Sequence, residues 1–394
     1  MFIRINNKSV QEQMVHMGVH PGGVELMAPK AQIIPLKILQ VRSPAANIIK
    51  QEFLAIGGEC ATPAGAINCS VDRLDILLLG TTTLYRRLAD KLLPMAQWFG
   101  LNVVINDLEE FLADIAPVTK LASGKVISYE SMQVMGILNI TPDSFFAGSR
   151  VNSEQALLAK AEQMLLEGAS ILDMGAESTR PGSVAVTEQE EQERITKGVA
   201  ALRRAFPQSV ISIDTYRSTT AQAALEAGAD IINDITAGTA DSKMLSVVGQ
   251  YAAPLILMHM RGTPATMQQY TQYVDVVKEV TEYLLERAQA ALKMGFTKEQ
   301  LILDPGIGFA KTVEGNLALM KNICACTGHG MPVLLAASRK STIGTVLGNV
   351  PAEERLEGTL ATTAQAFFGG ANLVRVHDVK EHVRLIKMLE AINK

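Results

Sequence analysis

The sequence has few of the features that mark secreted, membrane or nucleic-acid-binding proteins. Its 394 residues include four cysteines, Cys60, Cys69, Cys324 and Cys326, too few and too badly placed for a disulfide scaffold. The net charge is only −4 and no lysine/arginine block is present, so we expect no nucleic-acid partner. No apolar run approaches the roughly 20 residues of a membrane span, and the first residues lack a signal peptide's apolar core. These absences predict a reduced, cytoplasmic protein that does not bind membranes.

The composition is that of a folded protein, and the length predicts two domains. Hydrophobic residues make up 48% and charged residues 19% of the chain, and 394 residues exceed one ordinary core. Residues 1–125 predict a small α/β domain. Its expected strands are Ile33–Val41, Asp75–Leu79 and Leu101–Ile105, and its expected helices are Ala45–Ile56 and Thr82–Phe99. For this domain we expect a structural, oligomerisation or regulatory role.

Residues 126–394 repeat one pattern eight times: a short aliphatic run, a polar cluster and a helical stretch. The runs are Val134–Leu138, Ser170–Leu172, Val210–Ile213, Asp230–Ile232, Pro254–Leu257, Leu301–Leu303, Pro332–Leu335 and Asn372–Val376. None alternates cleanly between apolar and polar residues, which is typical of strands buried on both faces in parallel sheets. Eight strand–helix units in about 265 residues predict a (β/α)8 TIM barrel. A doubly wound sheet is the alternative, but no G-x-G-x-x-G follows the first run.

Polar residues follow the predicted strands, and catalytic groups of such barrels collect at the C-terminal strand ends. Asp214, Asn233, Asp304 and Lys340 combine acceptors and donors that suit a flat heterocycle with an amidine-like edge. Singly, each residue has a structural interpretation. For an isolated Asp214 a helix-capping role is favoured over a site role by two to one, and an isolated Lys340 is most often a solvated lysine. Their joint placement after successive strands favours a binding site.

A second group comes from the last and first predicted strands, which are neighbours in a closed barrel. Arg375 and His377 supply cationic donors and Asn139 supplies an amide oxygen able to hold Mg²⁺. Together they suit a phosphate or pyrophosphate. No Ser-His-Asp or Cys-His pattern indicates a nucleophile with its base.

Eight motifs, in order, resemble those of the dihydropteroate synthases. Residues Met135–Phe145 and Gly175–Gly182 resemble that family's first two signatures. The other six are Ile213–Thr215, Asn233–Asp234, Met258–Met260, Asp304–Gly306, Ser338–Ser341 and Arg375–Val379. The resemblance covers residues 134 to 394. It implies an enzyme that joins 6-hydroxymethyl-7,8-dihydropterin pyrophosphate to p-aminobenzoate, with release of pyrophosphate and formation of 7,8-dihydropteroate.

The resemblance also implies a role for each site residue. The pterin would be bound by Asp214, Asn233, Asp304 and Lys340, with Met258 and Phe309 lining its pocket. Pyrophosphate would be bound by Asn139, Arg375 and His377, with Asn139 as the Mg²⁺ ligand. The p-aminobenzoate pocket would form from Asp143, Phe145, Thr179, Arg180, Pro181 and Ser341, beside Lys340. The residues expected to act in catalysis are Asn139, Lys340, Arg375 and His377, and a sulfonamide-sensitive homodimer is expected.

Two positions depart from the family pattern. Ala147 stands where an acidic loop residue is usual, and Ala310 where glycine is usual. Two alternatives therefore stay open from the sequence. One is a pterin-binding methyltransferase that uses methyltetrahydrofolate, which has no use for a pyrophosphate site. The other is a non-catalytic pterin-binding protein.

Overall fold

The computed structural model describes residues 3, 5–113, 115–139, 150–176 and 187–393, with only the backbone of residues 150–153. The chain divides into two compact units, Met1–Ile115 and Ala116–Lys394. The boundary that we predicted at residue 125 lies within a hairpin whose strands pair from 118 to 128. That hairpin belongs to the second unit, because it packs against the floor of the barrel.

The first unit is a small α/β domain, as the sequence predicts. Its elements are α1 (Val10–His16), α2 (Pro21–Met27), β1 (Ile34–Arg42), α3 (Ser43–Ala55), β2 (Glu59–Ala61), β3 (Arg73–Gly80), α4 (Thr82–Leu92) and α5 (Leu101–Ala113). The strands form an antiparallel sheet in the order β1-β3-β2. Phe53 of α3 and Tyr85 of α4 are fully buried and stack with ring centroids 5.5 Å apart. This unit has a hydrophobic core of its own.

Two predictions for this unit are wrong in detail. The expected third strand, Leu101–Ile105, is the first part of α5, and the third strand of the sheet is β2. The buried residues of α5 are Leu101, Val104, Ile105 and Leu108, which recur with the helical period. A short apolar run does not distinguish a strand from a helix, and only the longer spacing does. The second helix ends at Leu92 rather than Phe99, just before Pro94 in a 3-10 turn.

The second unit is an eight-stranded parallel barrel preceded by an antiparallel hairpin. The hairpin strands are β4 (Val118–Lys120) and β5 (Val126–Ser128). The barrel strands are β6 (Gln133–Asn139), β7 (Ile171–Gly175), β8 (Val210–Asp214), β9 (Ile231–Asp234), β10 (Leu255–Met258), β11 (Leu301–Asp304), β12 (Leu334–Leu335) and β13 (Leu373–Val376). Their order is β11-β10-β9-β8-β7-β6-β13-β12, and a parallel bridge between Leu303 and Val333 joins the two ends. The (β/α)8 prediction is confirmed.

The helices pack outside the strands. They are α6 (Arg150–Glu167), α7 (Glu188–Ala205), α8 (Ser218–Glu226), α9 (Met244–Gln250), α10 (Val276–Lys293), α11 (Val313–Lys321), α12 (Ser341–Val346), α13 (Leu356–Phe368) and α14 (Val379–Asn393). Thr187 and Glu190 form a capping box at the start of α7. Gly168 and Gly228, just after α6 and α8, have φ of +104° and +107°, so glycine suits both helix ends. No helix in the described part of the chain is long and apolar enough to cross a membrane.

The floor of the barrel is an apolar layer to which every strand contributes one side chain. These side chains are Met135, Ile171, Val210, Ile231, Ile256, Ile302, Leu334 and Leu373. Leu121, Ile127 and Tyr129 from the hairpin region join the same cluster. The hairpin therefore closes the N-terminal end of the barrel, and polar chemistry is confined to the opposite end.

Candidate active site

A polar layer lies above the apolar floor. Alternate residues of a strand point to the same side, so the residue two positions after each floor residue also points into the barrel. These positions hold polar residues on five strands, namely Asp173, Ser212, Asn233, Asp304 and Arg375, and apolar residues on the other three, namely Ile137, Met258 and Ala336. Asp214 and Asn139 lie two residues further along β8 and β6. On β7, β8, β9, β11 and β13 the change from apolar to polar thus occurs within one pleat. These polar side chains lie toward the C-terminal strand ends.

Arg375 connects three strands of this layer. Its Nε donates to Asp173 Oδ2 at 2.5 Å, and its Nη2 donates to Asp214 Oδ2 at 2.9 Å. Asp173 also accepts bonds from Ser212 Oγ at 2.6 Å and Asn233 Nδ2 at 3.4 Å. The structure therefore brings the predicted pterin ligands Asp214 and Asn233 together with the predicted pyrophosphate ligand Arg375.

Burial and neighbouring charges shift the pKa values of Asp214 and Arg375 in this cluster. Burial raises the pKa of Asp214 to about 7, Arg375 opposes the shift, and Asp173 reinforces it. Burial alone would lower the pKa of Arg375, but Asp173 and Asp214 raise it above its ordinary value. Arg375 therefore stays charged, whereas Asp214 exchanges its proton near neutral pH. A ligand that donates hydrogen bonds to Asp214 would favour its ionised form.

Asp304 and Lys340 form the other half of the site. Asp304 is buried and accepts a bond from the backbone N–H of Gly306 at 2.7 Å. Burial raises the pKa of Asp304, and the charge of Lys340 opposes the shift. Burial lowers the pKa of Lys340 to about 8, and Asp304 opposes that shift. The two groups thus favour each other's charged form across the barrel mouth.

An apolar wall lies beside this pair. Phe309 and Met258 are buried in one cluster with Ile235, Met260 and Met267. The ammonium nitrogen of Lys340 lies 4.7 Å from the centre of the Phe309 ring and donates to the backbone oxygen of Ile307. An aromatic face and a thioether next to a buried carboxylate suit a flat, partly polar ring.

The segment between Asp304 and Phe309 is tightly held. Gly306 has φ of +69°, and a Cβ there would lie 2.1 Å from the backbone oxygen of His259, so only glycine fits. Ala310 also has a positive φ, +52°, a conformation that favours the glycine usual at this position. The departure at Ala310 therefore has a local conformational cost.

Lys311 is the centre of this segment, and sequence reasoning missed its role. Its Nζ lies 2.9 Å from Gly306 O, 2.8 Å from Phe309 O and 2.9 Å from His259 Nδ1, and the side chain is buried. Burial lowers the pKa of Lys311 well below its usual value. Burial and the Lys311 charge lower the pKa of His259 to about 2, so that histidine stays neutral. His259 is a buried histidine that contacts the segment through Lys311.

The remaining predicted residues lie around the last strand. His377 Nδ1 lies 2.9 Å from Ser338 Oγ, which joins the ends of β13 and β12. Asn139 ends β6, in register with Gly175 of β7, and is exposed. Ser341 is the exposed first residue of α12, directly after Lys340. Arg375, His377 and Asn139 thus end neighbouring strands, because β13 pairs with β6.

Part of the predicted p-aminobenzoate pocket lies outside the described residues. It comprises Asp143, Phe145, Thr179, Arg180 and Pro181, together with Ala147 and the loops 141–148 and 178–183. Among the described residues, no cluster of three or more His, Cys, Asp or Glu side chains could hold a metal ion. Within that part of the chain, a metal would need most of its ligands from a substrate or from water.

Comparison with known proteins gives one consistent result. Residues 135–377 match the family model described as pterin binding enzyme. The chain is 45% identical to a dihydropteroate synthase of Synechocystis sp. over 259 residues, 66% of this chain and 89% of the relative. It is 43% identical to one from Bacillus subtilis, over 68% of this chain and 90% of the relative.

The solved structures agree. Xanthomonas albilineans dihydropteroate synthase with 4-aminobenzoic acid superposes with a TM-score of 0.64 and 36% identity, over 71% of this chain and 98% of that one. The Burkholderia cenocepacia enzyme complexed with 7,8-dihydropteroate superposes with a TM-score of 0.63 and 36% identity, over 70% and 96%. The family match begins at residue 135, so the first unit lies outside it.

Proposed function

Since this chain belongs to the family of pterin-binding enzymes and is a dihydropteroate synthase, a transferase, we propose that the polar layer of its barrel carries out the reaction. The reaction condenses 6-hydroxymethyl-7,8-dihydropterin pyrophosphate with p-aminobenzoate to give 7,8-dihydropteroate and pyrophosphate. The observation that carries the proposal is that Arg375 bonds Asp214 directly and Asn233 through Asp173, while Asp304 ends the neighbouring part of the same barrel mouth on β11. The relatives favour this function over methyl transfer or non-catalytic binding.

The pterin ring is proposed to lie between the carboxylates and the apolar wall. The amidine-like edge of the ring would donate two hydrogen bonds to an ionised carboxylate, as a guanidinium does. Asp304 supports this role because it is buried beside Lys340 and has spare acceptor capacity beyond its bond from Gly306. Asp214 and Asn233 would contact the rest of the polar edge. Lys340 would donate to a ring nitrogen or oxygen, and Phe309 and Met258 would pack on the ring.

Pyrophosphate is proposed to bind at the adjoining ends of β6 and β13. Arg375, His377 and Asn139 supply donors and one amide oxygen there. Mg²⁺ usually keeps several waters and takes few protein ligands beside substrate phosphates, so a single amide oxygen from Asn139 fits this cation. When bound, Mg²⁺ would neutralise charge on the leaving pyrophosphate. A carboxylate cage of the kind that holds Ca²⁺ is not needed.

The chemistry needs no strong base. The aniline nitrogen of p-aminobenzoate is neutral at pH 7 and carries a lone pair. We propose that the bond between the pterin methylene and the pyrophosphate oxygen breaks first, and that the ring delocalises the positive charge. The aniline nitrogen then forms the new bond to that methylene carbon and loses a proton to the released pyrophosphate or to water. The charge of Arg375 stabilises the departing oxygen, and the barrel wall excludes water from the cation.

The p-aminobenzoate pocket is proposed to include Ser341 beside Lys340, with Asp143, Phe145, Thr179, Arg180 and Pro181. We also propose a cytoplasmic homodimer that sulfonamides inhibit. The support for a dimer is a set of exposed apolar side chains on α11, α12 and α13, namely Leu317, Val346, Leu347 and Phe368. Light scattering on the purified protein tests the dimer, and a monomer across micromolar concentrations would contradict it.

A coupled pyrophosphate assay tests the function. Full-length protein with the pterin pyrophosphate, p-aminobenzoate and Mg²⁺ should release pyrophosphate, and release should stop without p-aminobenzoate. Methyl transfer from methyltetrahydrofolate without pyrophosphate release would establish the methyltransferase alternative. Pterin binding with neither reaction would establish a non-catalytic binder.

A further inference from the structure

Asp173 lies at the centre of the polar layer but has no role in the proposed function so far. It is fully buried on β7, inside the barrel. Both carboxylate oxygens are used: Oδ1 accepts from Ser212 Oγ at 2.6 Å, and Oδ2 accepts from Arg375 Nε at 2.5 Å. Asn233 Nδ2 lies 3.4 Å from each oxygen. A buried carboxylate with this many donors holds its neighbours in defined orientations.

The first neighbour is Asn233. An amide has a donor end and an acceptor end, and its orientation is set by the groups that it contacts. Both carboxylate oxygens of Asp173 accept from Asn233 Nδ2, so Asp173 selects the orientation in which the NH₂ group of Asn233 faces β7. The carbonyl oxygen of Asn233 is therefore presented away from Asp173. This end accepts hydrogen bonds, which suits the N–H groups of a pterin.

The second neighbour is Arg375. Asp173 holds its Nε and Asp214 holds its Nη2, so two carboxylates from adjacent strands fix the plane of the guanidinium. Without Asp173, the guanidinium would be free to turn about its last side-chain bonds and to pair more fully with Asp214. That pairing would compete with the substrate for both groups.

We propose that Asp173 is a positioning residue, which presents the carbonyl oxygen of Asn233 to the pterin and holds Arg375 in the plane needed for the pyrophosphate. The inference rests on the proposed function. Asp173 does not contact the reacting atoms. It acts through Asn233 and Arg375, so its loss should affect the pterin substrate and leave p-aminobenzoate binding almost unchanged.

The test compares Asp173→Asn with Asp230→Asn. The second variant is the matched control, because Asp230 is also an arginine-paired carboxylate of the barrel unit, 2.6 Å from Arg203 Nη2, but lies just before β9 and outside the polar layer. For Asp173→Asn we expect kcat/KM for the pterin pyrophosphate to fall on the order of 30-fold, since buried groups lose their partners. The KM for p-aminobenzoate should change less than about threefold, and Asp230→Asn should stay within about threefold in every constant.

The pH profile supplies a readout that a merely structural role would not move. The charged groups around Asp214 are Arg375, Asp173, Glu191 and Asp234, and Lys340 also interacts with it. Asp173 raises the pKa of Asp214, so its neutralisation should move the acid limb of kcat/KM to lower pH. An Asp173→Asn profile superposable on that of wild type would overturn the inference. So would losses in kcat/KM equal to those of Asp230→Asn.

Two further measurements keep the test decisive. If Asp173→Asn does not fold, Arg375→Gln and the double variant Asp173→Asn/Arg375→Gln are compared, because the double variant removes both charges of the Asp173–Arg375 pair. The added loss in the double variant should be under about threefold if Asp173 acts through Arg375. A full additional loss would contradict that. Calorimetry with the pterin alone separates the proposed function from the positioning role. If wild type binds pterin but makes no product, the proposed function is refuted. The positioning role is still decided, because it requires Asp173→Asn to bind pterin more weakly than wild type.

Discussion

The conformation of the segment between Asp304 and Phe309 depends on Lys311, and the variant Lys311→Met tests how much stability Lys311 contributes. Methionine has a similar length but no donor, so four interactions of the buried Nζ are lost, the longest of them with His259 O at 3.4 Å. Gly306 O keeps its bond from the N–H of Phe309 at 3.1 Å. Phe309 O and His259 Nδ1 lose the bond from Lys311.

The magnitude follows from those two groups. An unsatisfied buried polar group costs about 1–3 kcal/mol, and removal of a buried amine offsets part of that cost. We therefore expect a net loss of about 2–4 kcal/mol in the free energy of unfolding. For a unit the size of Ala116–Lys394, this corresponds to a fall in Tm of roughly 5–10 °C. Pterin affinity should also fall about tenfold, because Phe309 and Asp304 share the segment.

Differential scanning calorimetry of the full chain, with and without pterin, measures both effects. The transition that rises with pterin belongs to the barrel. Lys160→Met is the control, because Lys160 is exposed on α6 and because lysine and methionine are both good helix formers. If Lys311→Met shifts that transition no more than the control, the segment does not depend on Lys311 and the reasoning is refuted.

Three further predictions concern the ligands and the two units. Pterin affinity should rise with pH through about 7, because the pKa of Asp214 is raised to about 7 and the ionised carboxylate is the acceptor; Asp214→Asn should remove this dependence in calorimetric titrations. A sulfonamide should compete with p-aminobenzoate in steady-state kinetics and bind well only after the pterin; noncompetitive inhibition would count against the pocket. A fragment of residues 116–394, which retains the hairpin and all the barrel strands, should keep kcat/KM within about tenfold of the full chain, and a folded fragment that binds pterin without turnover would show otherwise.

The barrel could be predicted from the sequence because the signals for each strand and helix lie within that element. Each strand is a short aliphatic run followed by polar residues, and each helix has its own period and terminal signals, such as Gly168 and Gly228. The strand predicted at Leu101–Ile105 was wrong because five residues, four of them apolar, carry no strand or helix signature of their own. Its helical identity depends on spacing that extends to Leu108.

The positions of the site residues could be predicted because barrel topology brings the strand ends together. Their pairings could not, since these join residues far apart in the chain. Asp173 was missed because the predicted strand ended at Leu172, although the alternation from Ile171 would have pointed Asp173 inward. Lys311 was missed because a lysine in a loop is usually solvated, and only the fold shows that carbonyl oxygens surround it.

The most direct test of the account is the formation of 7,8-dihydropteroate by wild type and by Asp304→Asn, followed by mass spectrometry. Asp304→Asn keeps the shape of the side chain but replaces one acceptor oxygen with an NH₂ donor. That donor would face the N–H donors of the pterin edge. We expect wild type to form the product. For the variant we expect a loss of about 2–4 kcal/mol in transition-state binding, which lowers kcat/KM roughly 30- to 1000-fold. Equal product formation by the two proteins would contradict it, because the pterin would then not bind in the polar layer of the barrel.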